Sequence, residues 1–132
     1  MEKTFNTISI VLGIIGGILS NWLGGFDLLL KTILVLVILD YVTGIIKGVY
    51  EKSLSSEIGF KGILKKIMIF IVIAAAWIIQ KLLGEAIALR EITIMFFVIN
   101  EALSLLENAA VLIPIPNKLK DTLLQLREKK EE

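Results

Sequence analysis

LLLKTILVLVILDYVTGII, residues 28–46, is a nearly unbroken apolar run about as long as one bilayer crossing. A helix rises 1.5 Å per residue and the hydrocarbon slab is about 30 Å thick, so roughly 20 apolar residues span it. Three further stretches of this kind flank it, at residues 8–23, 67–83 and 92–113. Together the four fill more than half of the 132-residue chain. The pattern predicts an all-α integral membrane protein, one membrane domain over residues 1–132. It has three to four transmembrane helices (about 8–23, 28–46, 67–83 and 92–113), a cytoplasmic loop at 47–66, and a tail at 117–132 holding a short amphipathic helix.

Composition supports this reading. The chain is 56% hydrophobic, more apolar surface than a soluble domain of this size could cover. A formal net charge of +1 gives no bulk attraction for nucleic acid. With no cysteine and no histidine, the chain lacks disulfides, thiolate nucleophiles, imidazole bases and the usual zinc and haem ligands. There is no HExxH, GxSxG or phosphate-binding glycine motif either, so the expectation is a protein without enzymatic activity, metal or cofactor. Met1-Glu2-Lys3 before an apolar run resembles the start of a signal peptide. Where a small-x-small cleavage site is due, however, the chain reads Asn21-Trp22-Leu23-Gly24-Gly25 and continues into the next run, which predicts an uncleaved first span.

Charge sets the orientation. The 47–66 stretch holds Lys47, Lys52, Lys61, Lys65 and Lys66 against Glu51 and Glu57, and excess lysine in a short loop marks the cytoplasmic side. The first turn carries only Asp27, and in the turn before the fourth stretch Lys81, Glu85, Arg90 and Glu91 cancel. N- and C-termini in the cytoplasm of a bacterial inner membrane satisfy the rule; a fourth stretch that merely lies on the surface would put the tail outside. Pro114 and Pro116 stop the fourth helix, and Asn117 can cap a terminal helix whose Leu119, Leu123 and Leu126 share a face. Ser55 and Ser56 can begin a helix running through Lys61, Lys65 and Lys66 into the third span. Those lysines either meet anionic headgroups, at about 1 kcal/mol each, or signal topology alone.

Polar and small residues inside the apolar stretches carry the functional expectations. Gly13 and Gly17 form one small-xxx-small step, and Gly16, Ser20 and Gly24 another, which lets helix backbones approach closely in lipid. Lys31 is near enough to a span end to snorkel. Asp40 lies deeper, with Thr43, Gly44, Lys47 and Gly48 on its face. Facing lipid it would cost about 2.5–3.5 kcal/mol, so it faces protein or water, paired with Lys47 or another helix, or lining an aqueous path. In the fourth stretch, setting Asn100 at zero and advancing about 100° per residue puts Ser104, Asn108, Glu101 and Glu107 within about 120° of arc. Two charged carboxylates would cost about 5–7 kcal/mol in lipid, against about 0.3–0.6 gained per leucine or phenylalanine. The stripe therefore meets other polar faces, or several copies arrange it around water; a helix lying on the membrane surface is the competing reading.

At these residues the chain resembles the phage holins grouped with clostridial toxin-secretion holins. Three blocks carry the resemblance: Asp40-Tyr41-Val42-Thr43-Gly44-Ile45-Ile46-Lys47, then residues 55–66, and then residues 100–108 followed by Ile113-Pro114-Ile115-Pro116. The resemblance implies a small membrane protein that forms a homo-oligomer in the lipid bilayer of the bacterial inner membrane and opens holes at a timed moment. An endolysin or a toxin is then its cargo. On this reading Asp40, Asn100, Glu101, Ser104, Glu107 and Asn108 line the pore or pair between helices. Gly13, Gly16, Gly17, Ser20, Gly24, Gly44 and Gly48 pack helices, and Lys61, Lys65 and Lys66 form a basic membrane-surface edge. Two other readings share these features. One is an ion or proton transporter using Asp40, Glu101 and Glu107 as relay carboxylates; the other is an antiholin or passive scaffold.

Overall fold

The computed structural model describes residues 1–131, with side chains as far as Lys129. It holds five helices in chain order: α1 (Glu2–Trp22), α2 (Leu28–Tyr50), α3 (Ser56–Leu82), α4 (Leu89–Ala110) and α5 (Asn117–Glu131). Among the described residues there is no strand. Three helices, α1, α2 and α3, are long and apolar enough to cross a membrane. The 22 residues of α4 reach as far but carry four charges, so α4 is not among the three on composition alone.

The stretch expected as a loop at 47–66 is mostly helix. α2 runs on to Tyr50, and Ser55 begins α3 by accepting the Ile58 amide at 3.2 Å, which leaves only residues 51–55 to make the turn. Lysine is a good helix former, so a lysine-rich stretch need not interrupt a helix. The fourth helix sits three residues earlier than the 92–113 expectation. Its start is fixed by Gln80 of α3, whose Oε1 accepts the Arg90 amide at 2.7 Å. That bond satisfies one of the amides every helix N-terminus leaves unpaired. Its end falls short of Ile113 because Pro114 disfavours helix in the residue before it.

α2 and α4 lie side by side and run in the same direction, with α3 antiparallel to both. Asp27, at the start of α2, meets Arg90, at the start of α4; farther along, Asp40 meets Asn108. The dry core is aliphatic: Leu30, Ile33 and Val37 of α2, Ile69 and Ile73 of α3, and Ile94 of α4, with Phe70, Phe97 and Val98 packed against them. Outside this seam the helices present isoleucine, leucine and valine outward. The accessible surface of 9369 Å² compares with about 6,900 Å² for a compact soluble chain of 14.7 kDa. Much of the exposed surface is made of large hydrophobic side chains on α1, α2 and α3, the kind of surface that lipid or another chain covers. α1 is the extreme case, burying none of its residues and touching α3 only briefly.

Candidate functional site

Two ionic nodes tie α4 to the rest of the bundle, one at each end of the apolar core. The first gathers Asp40 of α2, Lys66 of α3 and Glu101 of α4. The Lys66 ammonium donates to Oδ2 of Asp40 and to Oε2 of Glu101. Asn108, two turns beyond Glu101, donates from Nδ2 to Oδ1 of Asp40 at 2.9 Å and to the Thr43 hydroxyl at 3.1 Å. Asp40 and Glu101 are 6% and 8% exposed. One cation thus serves two buried carboxylates, and the trio carries a formal charge of −1. A cleft of about 680 Å³ reaches it from the Leu54–Ile58 end, with Ser104 and Asn108 on one wall and Lys61 and Lys65 at the mouth. Above the cleft the Tyr41 hydroxyl donates to the Gly59 carbonyl at 3.3 Å.

The stripe on α4 divides. Glu101, Ser104 and Asn108 span about 60° of the helix and turn towards α2 and α3, where they line the cleft. Asn100, on the edge of the arc, is half-buried, and Glu107, beyond it, is exposed. Glu107 therefore lies outside the trio that holds Asp40 and Glu101. Asp40 takes Lys66 rather than Lys47 as its partner. Of the three lysines grouped as a surface edge, Lys61 is exposed and pairs with Glu57 at 3.1 Å, and Lys65 is exposed. Lys66, one residue and about 100° farther round, is turned into the bundle instead.

The small residues divide as well. A Cβ on Gly44 would stand 3.6 Å from the Asn108 amide nitrogen, and one on Gly48 would press at 3.2 Å on Leu54. Both let elements of the same chain come close. A Cβ on Gly13, Gly16 or Gly17 would meet nothing within 4 Å among the described residues, and Ser20 is half-buried at the end of α1. Gly24 is required twice over. Its φ of +89° suits glycine, and any side chain there would collide with the Arg90 guanidinium.

Arg90 is the centre of the second node, which counting loop charges does not reveal. It is 2% exposed and holds Asp27 in a two-pronged pair, Nη1 to Oδ2 at 2.9 Å and Nη2 to Oδ1 at 3.0 Å. It also donates to the carbonyls of Leu23 and Gly25, so one side chain fastens the α1–α2 turn to α4. The signal in the sequence is opposite charge at one end of the bundle: Asp27 is the only charge in the first turn.

Hydrogen bonds from Arg90 hold the Asp27 carboxyl down to about 2, outweighing the partial burial that pushes it up, and the Leu30 amide adds to them. A carboxyl lowered in the folded state stabilises above its ordinary value of 3.8, and that contribution disappears as pH falls through 3.8 towards about 2. Because the Asp27 side chain is 48% exposed, solvent screening keeps the effect small. In thermal melts of the detergent-solubilised chain, Asp27→Asn should show a shallower loss of stability than the parent between about pH 4 and about pH 2.

Residues 17–128 match the bacteriophage holin family, a stretch that takes in α2, α3 and α4 whole. The chain belongs to that family. It is 43% identical to an uncharacterised 14.9 kDa protein from the nagH 3′ region of Clostridium perfringens, over 98% of this chain and all of the relative. It is 38% identical to an uncharacterised protein of Listeria monocytogenes, over 83% of this chain and 79% of that one. A protein of Bacillus phage phi105 named as a probable holin is 35% identical over 71% of this chain and 70% of its own length. No solved structure matches. In this member of the holin family, both nodes lie wholly within the matched residues.

Proposed function

We propose that the chain acts as a holin: copies gather in a bacterial cytoplasmic membrane and open holes that let an endolysin or a secreted toxin out, without any catalytic step. Family membership supports the class. The observation that carries the mechanism is the placement of charge. The outward faces are apolar, while Asp40, Lys66, Glu101 and Asn108 converge on an inward cleft. In the closed form α4 satisfies its polar groups on α2 and α3 of the same chain. In the open form those groups exchange intrachain partners for water, which sister helices enclose. α1, α2 and α3 cross the bilayer and α4 crosses beside α2. The 51–55 turn and the C-terminus lie on the lysine-rich cytoplasmic side, with the N-terminus there too. Gly13, Gly16, Gly17 and Ser20 then offer α1 to a second copy.

A small ion or proton transporter is the second reading, favoured by a cleft that reaches two buried carboxylates. Expression of the chain in a bacterium, with and without a wall hydrolase, separates the readings. A holin gives a delay, then abrupt loss of membrane potential, with lysis when the hydrolase is present. A transporter gives steady ion flux without release of folded protein, and an antiholin or scaffold gives neither.

A further inference from the structure

Tyr41 stands where three hollows meet. The cleft of about 680 Å³ has α4 on one side, through Glu101, Ser104 and Asn108. Two mostly apolar furrows, of about 460 and 250 Å³, open on the other face of the α2–α3 pair, and no α4 residue lines either. Ile38, Val42, Ile63 and Ile67 are exposed along that face. Tyr41 borders all three hollows, and Lys66 borders the cleft and the smaller furrow, so the ionic trio lies just inside this wall.

The wall is thin because α2 packs closely on α4 but meets α3 at few points, which leaves the α2–α3 seam for side chains to fill. On α3 the seam shows bare backbone at Gly59 and Gly62. A Cβ on Gly62 would stand 3.4 Å from the Tyr41 ring, and one on Gly59 would stand 3.5 Å from its hydroxyl. The one polar fastening of the ring is the Gly59 carbonyl at 3.3 Å, longer than the roughly 2.8 Å usual for a hydroxyl on an oxygen. A ring seated on two glycines by packing and one long hydrogen bond can leave without breaking the ion pairs behind it.

We propose that Tyr41 is a lateral gate: seated, it separates the polar cleft from the outer face of the α2–α3 pair, and unseated, it joins them into one opening through the side of the bundle. The gate deepens the hole-forming reading and rests on it, since it gives water at Asp40, Lys66 and Glu101 a sideways outlet towards a neighbouring copy. It also names which seam yields first, the one that α4 does not brace.

The test uses the full chain in vesicles, and because the chain has no cysteine a single one can be placed at will. A bimane on Ser104→Cys reports from the α4 wall of the cleft. In the parent, aqueous iodide should quench it through the mouth, and phosphatidylcholine brominated on its acyl chains should quench it little. Tyr41→Ala should raise quenching by the brominated lipid severalfold while leaving iodide quenching unchanged. Tyr41→Phe, which keeps the ring, should stay at the parent's level. Gly62→Val keeps Tyr41 but takes its seat, and should reproduce Tyr41→Ala; valine favours helix more than glycine does, so α3 is preserved. Brominated-lipid quenching unchanged in both Tyr41→Ala and Gly62→Val overturns the gate. So does a rise in both kinds of quenching together, which is general loosening, or a rise in Tyr41→Phe as large as in Tyr41→Ala. Tryptophan emission, from exposed Trp22 above all, is read in the same vesicles. If brominated lipid leaves it unquenched in every variant, the membrane reading itself fails; if it is quenched and the bimane is not, only the gate fails. In cells without the bimane, Tyr41→Ala and Gly62→Val should shorten the delay before membrane potential collapses, whereas a parent that never collapses it fails the hole-forming reading and leaves the quenching result to decide the gate.

Discussion

Replacing Lys66 with methionine should destabilise the closed bundle by about 3–5 kcal/mol, the usual cost of removing one partner from a buried ion pair. Methionine keeps the length and apolar stem of lysine, so packing changes little and the loss is electrostatic. It leaves Asp40 and Glu101 buried, close together and without their cation. Their repulsion is relieved if α4 parts from α2 and α3, which is the opening step proposed above. The variant should therefore insert normally, melt early in detergent and shorten the delay before membrane potential collapses. Lys66→Met combined with Asp40→Asn and Glu101→Gln removes the unpaired charge and should recover most of the stability. A single variant as stable as the parent would show that the trio does not hold α4 in place.

The second large effect has the opposite sign. Glu101→Leu/Glu107→Leu should abolish lysis while leaving insertion intact. In the closed form Lys66 retains Asp40, a neutral pair, so the bundle still assembles. The removed carboxylates would otherwise cost about 5–7 kcal/mol against hydrocarbon, and leucine adds a small favourable transfer instead, so insertion becomes easier. What is lost is the acidic part of the face that is to meet water in the open form. Because Glu107 is already exposed while Glu101 is buried in the trio, the single variants separate two roles. Glu101→Leu should account for most of the lost lysis if the inward face is the one that opens. Normal lysis timing in the double variant would remove the α4 stripe from the pore.

The helices were legible in the sequence where hydrophobicity alone decides them, as in α2 and α3, whose central turns carry hardly a charge. The lysine-rich ends of α2 and α3 were not. A lysine every few residues reads as a loop by composition, yet lysine favours helix and Ser55 supplies the cap, so α3 starts eleven residues before its apolar run. The α4 stripe was legible by its period, and the inward turn of Glu101, Ser104 and Asn108 follows from the narrower arc they share. Lys66 was hidden because three lysines in six positions look like one patch. Successive side chains on a helix diverge by about 100°, so Lys65 and Lys66 face different surroundings. Arg90 was hidden for another reason. Its partner is 63 residues away, and summing charges along a turn cancels what tertiary structure separates. Gln80, which lies in the third apolar stretch, caps a different helix.

The bareness of α1 has an experimental use. None of its side chains is buried against the rest of the molecule, and Gly13, Gly16 and Gly17 border empty space. A conservative exchange along this rod should leave the chain's own interior undisturbed. Any phenotype it produces must come from outside, from acyl chains or a neighbouring molecule. Residues 8–19 are thus a natural reporter: mutational scanning there would map crowding among molecules in the membrane, uncontaminated by misfolding.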